Sequence, residues 1–530
     1  MAITATRRTP GVYITELAAF PPSIVGVQTA VPAFIGYTEK AEIAGNPVFM
    51  KPIKISSLAD YQAIFGSEYD ATYTIEEVTG VDITAHKYDF SVLDPTTPPG
   101  EMKYFKLLPP DAQFNLYNSM RLFYANGGGV CYVVSVDSYF PPGSTTANTI
   151  DPTKLGEGLD VVKEQVGPTM LVIPEAILLA DNGEYTGVVD KMLAQCAQLQ
   201  DRVAVLDVYN SQTVVDALTM ETVISQFRLD VDKDLNYGMA YFPFLHTTVI
   251  PITDYDFTNL TPLDSSAGDT ALQTILGWQN TNLYKPPRHG VVQADINAIV
   301  AAATPPIDWD KVTKLNQNLT ASLPVLKDIY EVILNKNDVL PPSGAMAGVY
   351  TYIDTTRGVW NAPANVSLSA VSRTTFKLND DLQGDLNAPI NGKAVNAIRE
   401  LVGRGPVVWG ARTLDGNSND YRYIQVRRTL IYIEQSIKSA LNTFVFAPND
   451  GNTWVTVTAM VSNFLQGVWS AGGLMGATAS DAFTVQCGLG STMTGLDILN
   501  GYMIVQVTLQ MIRPAEFIEL TFKQKMEGVS

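Results

Sequence analysis

Between residues 111 and 245, short apolar runs alternate with segments of helical periodicity. The apolar runs are rich in β-branched residues and nearly free of charge, which is typical of strands buried on both faces of a sheet. They span residues 130–136, 170–173, 203–208 and 237–245. Strands that alternate with helices predict right-handed βαβ units. The pattern therefore predicts an α/β fold with a central parallel-rich sheet covered by helices.

Three helices are expected around these strands. The first follows Asp111, carries aromatic and Met residues at helical spacing through residues 114–124, and ends at Asn126-Gly127-Gly128. The other two have apolar stripes within residues 189–199 and 214–227. Each lies between two of the predicted strands, as a crossover helix would.

The most regular helical pattern of the chain spans residues 427–444. One stripe is apolar and consists of Leu430, Ile433, Ile437, Ala440, Leu441 and Phe444. The other side carries Arg427, Arg428, Glu434 and Lys438, with Glu434 and Lys438 at the i,i+4 spacing that favours an ion pair. We therefore expect a helix with one buried and one charged side.

Three segments near the ends of the sequence have strand character without an obvious partner. Residues 503–512 and 516–523 alternate with period two around a break at Pro514, where a missing N–H does no harm. The apolar residues of the second segment are Phe517, Ile518, Leu520 and Phe522. Near the start, Val12, Tyr13 and Ile14 form one short alternating piece within an arm that contains several prolines. A strand of this length cannot bury itself and is either frayed or docked elsewhere.

A chain of 530 residues is too long for one core and suggests two to four domains. The residues 67–110 contain alternating pieces and a proline-rich exit, which predict a small β insertion. The expected organisation is an N-terminal arm (1–25), an α/β core (26–250) with the β insertion near 67–110, an elaboration or inserted surface domain (251–342), and a C-terminal α+β assembly domain (343–530) that ends in the strand 516–523 and is completed by terminal arm strands.

Composition narrows the class of protein. With 46% hydrophobic and 17% charged residues the chain is globular, and its net charge of −18 argues against a nucleic-acid partner. The sequence shows no signal peptide and no run long enough to span a membrane, so we expect synthesis in the cytoplasm and no membrane insertion. Cys131, Cys196 and Cys487 are far apart, which fits buried thiols in a reducing compartment.

Candidate chemistry is sparse. The histidines His86, His246 and His289 do not lie in a nucleophile-bearing motif, and no G-x-S-x-G sequence is present. The glycines 127–129 precede a strand and lack a following Lys-Ser or Lys-Thr, so they do not form a phosphate loop. We predict that the chain is not an enzyme and has no catalytic, cofactor-binding or metal-ligating residues.

Several blocks resemble one known family. They are TPGVYITE (9–16), AVPAFIGYTEKA (30–41), FYANGGGVCYVV (123–134), GAMAGVYTYIDTTRGVWNAPAN (344–365), AIRELVGRGPVVWGARTL (397–414), and the stretch from Tyr421 to Trp454 that opens YRYIQVRRTL. Together they resemble the sheath protein of contractile tails, a family that includes myophage tail sheaths, contractile bacteriocins and extracellular contractile injection systems.

The resemblance implies a structural sheath subunit that polymerises helically around an inner tube and contracts to drive the tube through a target envelope. In that family, terminal arms complete a sheet in neighbouring subunits, which assigns inter-subunit linker strands to Val12, Tyr13, Ile14, Phe517, Ile518, Leu520 and Phe522.

It also implies a tube-facing helix with Arg427, Arg428, Glu434 and Lys438. The expected partners are further copies of the chain, the inner tube protein, and baseplate and terminator or cap proteins, within a phage tail or a released extracellular particle. The residues alone leave open an α/β enzyme or ligand-binding protein with an unrecognised site.

Overall fold

The structure is a computed structural model that describes residues 24–261, 271–304 and 306–520. In these ranges the strands are β1 (Pro32–Thr38), β2 (Glu42–Ile43), β3 (Asn46–Pro47), β4 (Ile53–Ile55), β5 (Tyr73–Val78), β6 (Phe90–Asp94), β7 (Glu101–Leu107), β8 (Cys131–Ser138), β9 (Met170–Val172), β10 (Val203–Asp207), β11 (Gly238–Phe242), β12 (Leu245–Thr247), β13 (Leu260–Thr261), β14 (Val339–Leu340), β15 (Val366–Ser367), β16 (Val371–Thr374), β17 (Asn396–Leu401), β18 (Gly405–Val408), β19 (Phe483–Gln486) and β20 (Gln506–Leu509).

The α-helices in the same ranges are α1 (Leu58–Phe65), α2 (Val81–Thr84), α3 (Leu116–Ala125), α4 (Pro152–Lys163), α5 (Asn182–Leu199), α6 (Ala217–Asp230), α7 (Ala271–Leu283), α8 (Arg288–Ala303), α9 (Trp309–Ser322), α10 (Pro324–Asn337), α11 (Ser343–Arg357), α12 (Asp380–Asn387), α13 (Ile424–Leu441), α14 (Gly451–Ser470), α15 (Ala479–Ala482) and α16 (Gly495–Leu499).

A nine-stranded mixed sheet forms the centre of the α/β region, in the order β15-β18-β17-β11-β10-β9-β1-β8-β4. The six strands from β17 to β8 pair in parallel, whereas β18 pairs antiparallel with β17 and β4 pairs antiparallel with β8. The predicted α/β class with a parallel-rich sheet is confirmed. All four apolar runs of the sequence became strands of this sheet, as β8, β9, β10 and β11.

The strands β1, β9, β10 and β11 are buried along their whole length. Such strands need cover on both faces, which helices such as α3, α4, α5 and α11 supply. The helix α6 differs from its predicted stripe: it buries Met220, Ile224 and Phe227 but leaves Leu218 exposed.

Helix α11 packs closely on α3. A Cβ added to Gly344 would lie 2.7 Å from the backbone oxygen of Ser119, and one added to Gly348 would lie 2.5 Å from that of Phe123. These two glycines therefore allow the helix backbones to approach each other. Residue 343, which sequence analysis took as the start of the C-terminal domain, is thus the start of a helix that belongs to the α/β core.

A second hydrophobic core is built from two segments that are distant in sequence. The strands β13, β5, β7 and β6 form a four-stranded sheet in that order. Its buried residues, among them Tyr73, Phe90 and Phe105, pack with residues of α7–α10 such as Leu276 and Ile329. The predicted β insertion near 67–110 and the predicted elaboration 251–342 therefore share one core.

The chain divides into two compact units. One contains residues 28–431 together with the segment that begins at Pro514, and the other contains residues 432–513 together with the segment that ends at Val27. The second unit contains the C-terminal half of α13, the whole of α14 and the pair β19–β20. This division lies about 90 residues after the boundary expected from the sequence, because α11, β17 and β18 belong to the larger unit.

Helix α14 of the smaller unit begins at an N-cap, where the Asp450 side chain accepts a hydrogen bond from the Thr453 N–H at 3.0 Å. It buries Val457, Met460, Val461 and Leu465. Throughout the described ranges, we find no helix with the length and apolar character that a membrane span requires.

Candidate assembly site

The two-stranded sheet of β19 and β20 is the first candidate for an assembly site. Its register pairs Phe483 with Leu509 and Val485 with Val507, and these four half-buried side chains share one face. The alternate residues of both strands are exposed. The strand predicted within residues 503–512 is confirmed as β20. Sequence analysis did not predict β19, because an alternation over four residues is too short a signal.

Both outer edges of this sheet lack a neighbouring strand among the residues that the structure describes. A strand edge presents a row of backbone N–H and C=O groups that can pair with another chain. Two strands alone are only marginally stable, so additional strands would strengthen the sheet. The sheet is therefore suited to accept extended segments through main-chain hydrogen bonds.

The predicted N-terminal linker residues Val12, Tyr13 and Ile14 lie outside the described residues. The chain that follows them is held in the smaller unit, where the Val27 N–H donates to the Ser436 hydroxyl of α13 at 3.0 Å. Gly26 is packed against Tyr432, since an added Cβ would lie 2.2 Å from the tyrosine oxygen. The arm thus joins the smaller unit at a fixed point on α13.

The described part of the predicted C-terminal linker is residues 516–520, and Phe522 lies outside the described residues. No strand forms within residues 516–520 in the isolated chain, although the segment was predicted to be one. Phe517, Ile518 and Leu520 are 80%, 79% and 74% exposed. Three large apolar side chains within four residues are thus exposed to solvent. The segment 516–520 does not pair with a sheet edge among the residues that the structure describes.

The predicted charged face of α13 is only partly a surface. Arg427 and Arg428 are buried, which corrects the expectation that they lie on an exposed face. The guanidinium of Arg427 lies 4.1 Å from the ring centre of Tyr237 and donates to its hydroxyl. Arg428 forms an ion pair with Asp354. Both arginines are buried because the first turns of α13 enter the core of the larger unit.

Glu434 and Lys438 are exposed, as predicted. They lie beyond the boundary at Tyr432, in the part of α13 that belongs to the smaller unit. The tube-facing assignment therefore remains a prediction for these two residues only.

The side chain of His246 pairs with a carboxylate and not with a nucleophile. His246 on β12 has its Nδ1 atom 2.8 Å from Oδ1 of Asp338, at the end of α10. The hydroxyl of Ser372 donates to the backbone carbonyl of His246 and not to its ring. Within the described ranges, no group of three or more His, Cys, Asp or Glu side chains is placed to hold a metal ion. Cys131, Cys196 and Cys487 are free thiols.

Comparisons with known proteins point to one family. Residues 417–525 match the phage tail sheath C-terminal domain family. The tail sheath protein of Burkholderia phage BcepMu is 27% identical over 156 residues, which cover 28% of this chain and 32% of the phage protein. That of Vibrio phage KVP40 is 23% identical over 145 residues, which cover 27% of this chain and 22% of that protein. The alignments thus span less than a third of either phage protein.

Solved structures extend the similarity over nearly the whole chain. A chain of the anti-feeding prophage baseplate has 26% sequence identity and a TM-score of 0.57, and the match covers 98% of this chain and 100% of that one. The helical sheath of the same particle in its contracted state gives 25% identity, the same TM-score and the same coverage. With the terminal domain match and the phage relatives, these similarities confirm the predicted resemblance to the contractile tail sheath family.

Proposed function

We propose that this chain is the sheath subunit of a contractile particle. Many copies polymerise helically around an inner tube and, on contraction, drive the tube through a target envelope. The particle is a phage tail or a released extracellular device. Heterologous contacts between copies produce an open helical polymer, which is the geometry that such a sheath requires.

The observation that carries this proposal is the combination of an unfilled sheet and an unpaired segment in the same chain. The sheet of β19 and β20 has two free edges among the described residues. The segment 517–520 exposes Phe517, Ile518 and Leu520. If a copy inserts this segment beside the sheet of a neighbour, the neighbour gains backbone hydrogen bonds and the apolar side chains leave water.

The predicted N-terminal linker, with Val12, Tyr13 and Ile14, would supply the second added strand. Its chain reaches the smaller unit at Gly26 and Val27, which are fixed against α13. A linker that starts from a fixed point delivers its strand within a limited volume, which raises the effective concentration of that strand near a neighbour.

The inner tube, the baseplate and the terminator or cap proteins are the further partners in this proposal. Glu434 and Lys438 are the exposed charged positions of α13, and they are the candidate contacts with the tube. Exposed ion pairs contribute little individually, so a contact of this kind can be released when the sheath contracts. The alternative of an α/β enzyme has no supporting observation in the described parts of the chain.

Replacement of Ile518 by proline tests the proposed link. Proline removes a ladder donor and cannot sit in a paired central strand, so Ile518→Pro should abolish long polymers. The residue is exposed in the isolated chain, so the larger unit should fold as before. Sedimentation measures polymer length, and negative-stain microscopy shows whether tubes or sheath fragments form.

The matched controls are Ile518→Val, which keeps the donor and the strand propensity, and Ser530→Pro, which lies beyond the predicted strand. Both should sediment as the parent chain does. Long polymers of Ile518→Pro would show that this segment does not link subunits.

A further inference from the structure

The C-terminal segment returns to a different unit from the one it directly follows. Residues 432–513 form the smaller unit, whereas the segment from Pro514 is part of the larger unit with residues 28–431. Within that segment, Glu516 is half-buried and the next four residues are exposed. The chain therefore contacts the larger unit at Glu516, and the residues that follow it extend into solvent.

The contact at Glu516 is a two-pronged ion pair with Arg412. Nε of Arg412 donates to Oε1 of Glu516 at 3.0 Å, and Nη2 of Arg412 donates to Oε2. The side chains are 8% and 16% exposed. Bidentate carboxylate–guanidinium pairs are directional, and burial reduces their screening by water and salt. This pair is thus more directional and less screened than an ordinary surface ion pair.

Arg412 is itself immobilised by the fold. Its backbone N–H donates to Oδ1 of Asn396 at 2.7 Å, and its carbonyl accepts from Nδ2 of the same residue at 2.8 Å. Its Nη1 donates to the carbonyl of Asn387 at 2.9 Å. Asn396 is the first residue of β17 in the nine-stranded sheet. The backbone of Arg412 is therefore held by β17, and its guanidinium has a contact with Asn387 that does not depend on Glu516.

Tyr423 completes the site. Its ring centre lies 6.0 Å from Cζ of Arg412, and its hydroxyl donates to Oε2 of Glu516 at 3.4 Å. The hydrogen bonds that Arg412 donates to Glu516 also raise the pKa of Arg412, as expected when the charged form of a guanidinium is favoured. All three side chains lie in the larger unit, and 104 residues of sequence separate Arg412 from Glu516.

We propose that Arg412, together with Tyr423, is a positioning site for the C-terminal linker: it clamps Glu516 and so fixes the point from which residues 517–520 leave the subunit. This inference rests on the proposed function. A strand that starts from a fixed root samples a smaller volume, and each following residue adds only about 3.3 Å of reach. The clamp thus keeps the linker strand at a high effective concentration near one neighbour.

The clamp also limits how far the linker can extend when a sheath contracts, because its starting point at Glu516 does not move. The linker can follow a neighbour only as far as its free length allows, measured from Glu516. Without the ion pair, the residues from Arg513 to Glu516 would add to the mobile length of the linker. The linker would then leave the subunit in no fixed direction. The pair therefore sets both the origin and the reach of the link.

Glu516→Gln tests the clamp, with Glu519→Gln as the matched control in the exposed part of the same segment. Glu516→Gln keeps the shape but removes the charge that holds Arg412. We expect the backbone of residues 515–520 to become more mobile on the ps–ns timescale in the monomer, as measured by 15N relaxation order parameters, and the protein concentration at which polymers form to rise by about tenfold or more. Glu519→Gln should change neither quantity.

Both quantities are measured well below the melting temperature of each variant, because Glu516→Gln removes the counter-charge of Arg412 and should lower that temperature, whereas Glu519→Gln should not. Arg412→Lys keeps the charge but not the fork, so it should give an intermediate rise in the polymerisation concentration. Unchanged order parameters of residues 515–520 in Glu516→Gln would overturn the clamp, whatever the polymers do. Unchanged polymerisation of Ile518→Pro would overturn the proposed link instead, so the two failures are distinguishable.

Discussion

Arg428 on α13 and Asp354 on α11 form a bidentate ion pair in which both side chains are almost completely buried. Nη1 and Nη2 of Arg428 lie 2.9 and 2.6 Å from the two carboxylate oxygens of Asp354. The guanidinium also stacks 4.6 Å from the ring centre of Tyr350, whose hydroxyl is 2.7 Å from that of Tyr241 on β11. The pair thereby ties the start of α13 to the central sheet.

Asp354→Asn should therefore destabilise the larger unit strongly. It leaves Arg428 buried without a counter-charge, which costs about 3–5 kcal/mol in comparable pairs. The free energy of unfolding from urea denaturation of the monomer measures this loss.

Asp380→Asn is the control for that change, because Asp380 also pairs with an arginine, Arg399, at 2.8 Å but is 92% exposed. Its loss should cost at most about 1 kcal/mol. Equal losses in the two variants would show that burial of the Arg428 pair is not what makes it important.

The same ion pair shows where sequence reasoning stops. The helical pattern of residues 427–444 was sufficient to predict α13, and the apolar runs were sufficient to predict the inner strands. The pattern did not show that Arg428 is buried, because its partner Asp354 lies 74 residues earlier on another helix. Periodicity separates charged from apolar positions, but it does not reveal which charges find a buried partner.

The terminal segments give a second example of this limit. Residues 516–520 were predicted to form part of a strand, yet no strand forms there in the isolated chain, because a strand requires a neighbouring edge. The resemblance to contractile sheaths led to the hypothesis that this edge belongs to a neighbouring subunit. The contact between Arg412 and Glu516 was not foreseen, since a single Arg and a single Glu carry no pattern.

The pH dependence of stability should be set in part by Glu175, which follows β9. Its side chain is buried, Oε1 accepts from the Leu116 N–H at 3.0 Å, and Oε2 has no hydrogen-bond partner. Burial raises the pKa of this carboxyl to about 8 from its ordinary value of 4.5, against the opposing effect of the backbone hydrogen bonds. The folded protein therefore holds a proton that the unfolded chain releases at lower pH.

Stability from this group is complete below about pH 4.5 and falls as pH rises toward 8, by up to about 1.4 kcal/mol for each pH unit. Glu175→Gln cannot titrate, so its free energy of unfolding should fall less between pH 5 and pH 7.5 than that of the parent chain. A smaller decline should persist, because burial also raises the pKa of Asp207 to about 7. Identical pH profiles would show that Glu175 is not protonated in the folded state.

Deletion of residues 1–20 tests the proposed N-terminal linker. We expect a folded monomer that no longer forms long sheaths, because the arm has few apolar residues for its own core but offers a strand to a neighbour. Thermal melting and negative-stain microscopy measure the two effects separately.

The truncation keeps Gly26 and Val27, so the contact with Ser436 is preserved and serves as an internal control for the fold. Tubes of normal length would show that the arm is not a linker. A large fall in melting temperature would show instead that the arm packs against the core of its own subunit.

The second core has a consequence for the order of events on the ribosome. Its sheet strands β5, β6 and β7 are complete at Leu107, but the helices that cover their apolar face end only at Asn337. At ordinary translation rates the intervening residues, about 230, take roughly 10 to 50 s to synthesise. During that interval the helical cover of Tyr73, Phe90 and Phe105 is incomplete in the growing chain. We therefore expect part of the apolar face of this sheet to stay exposed on the nascent chain until α10 has been made.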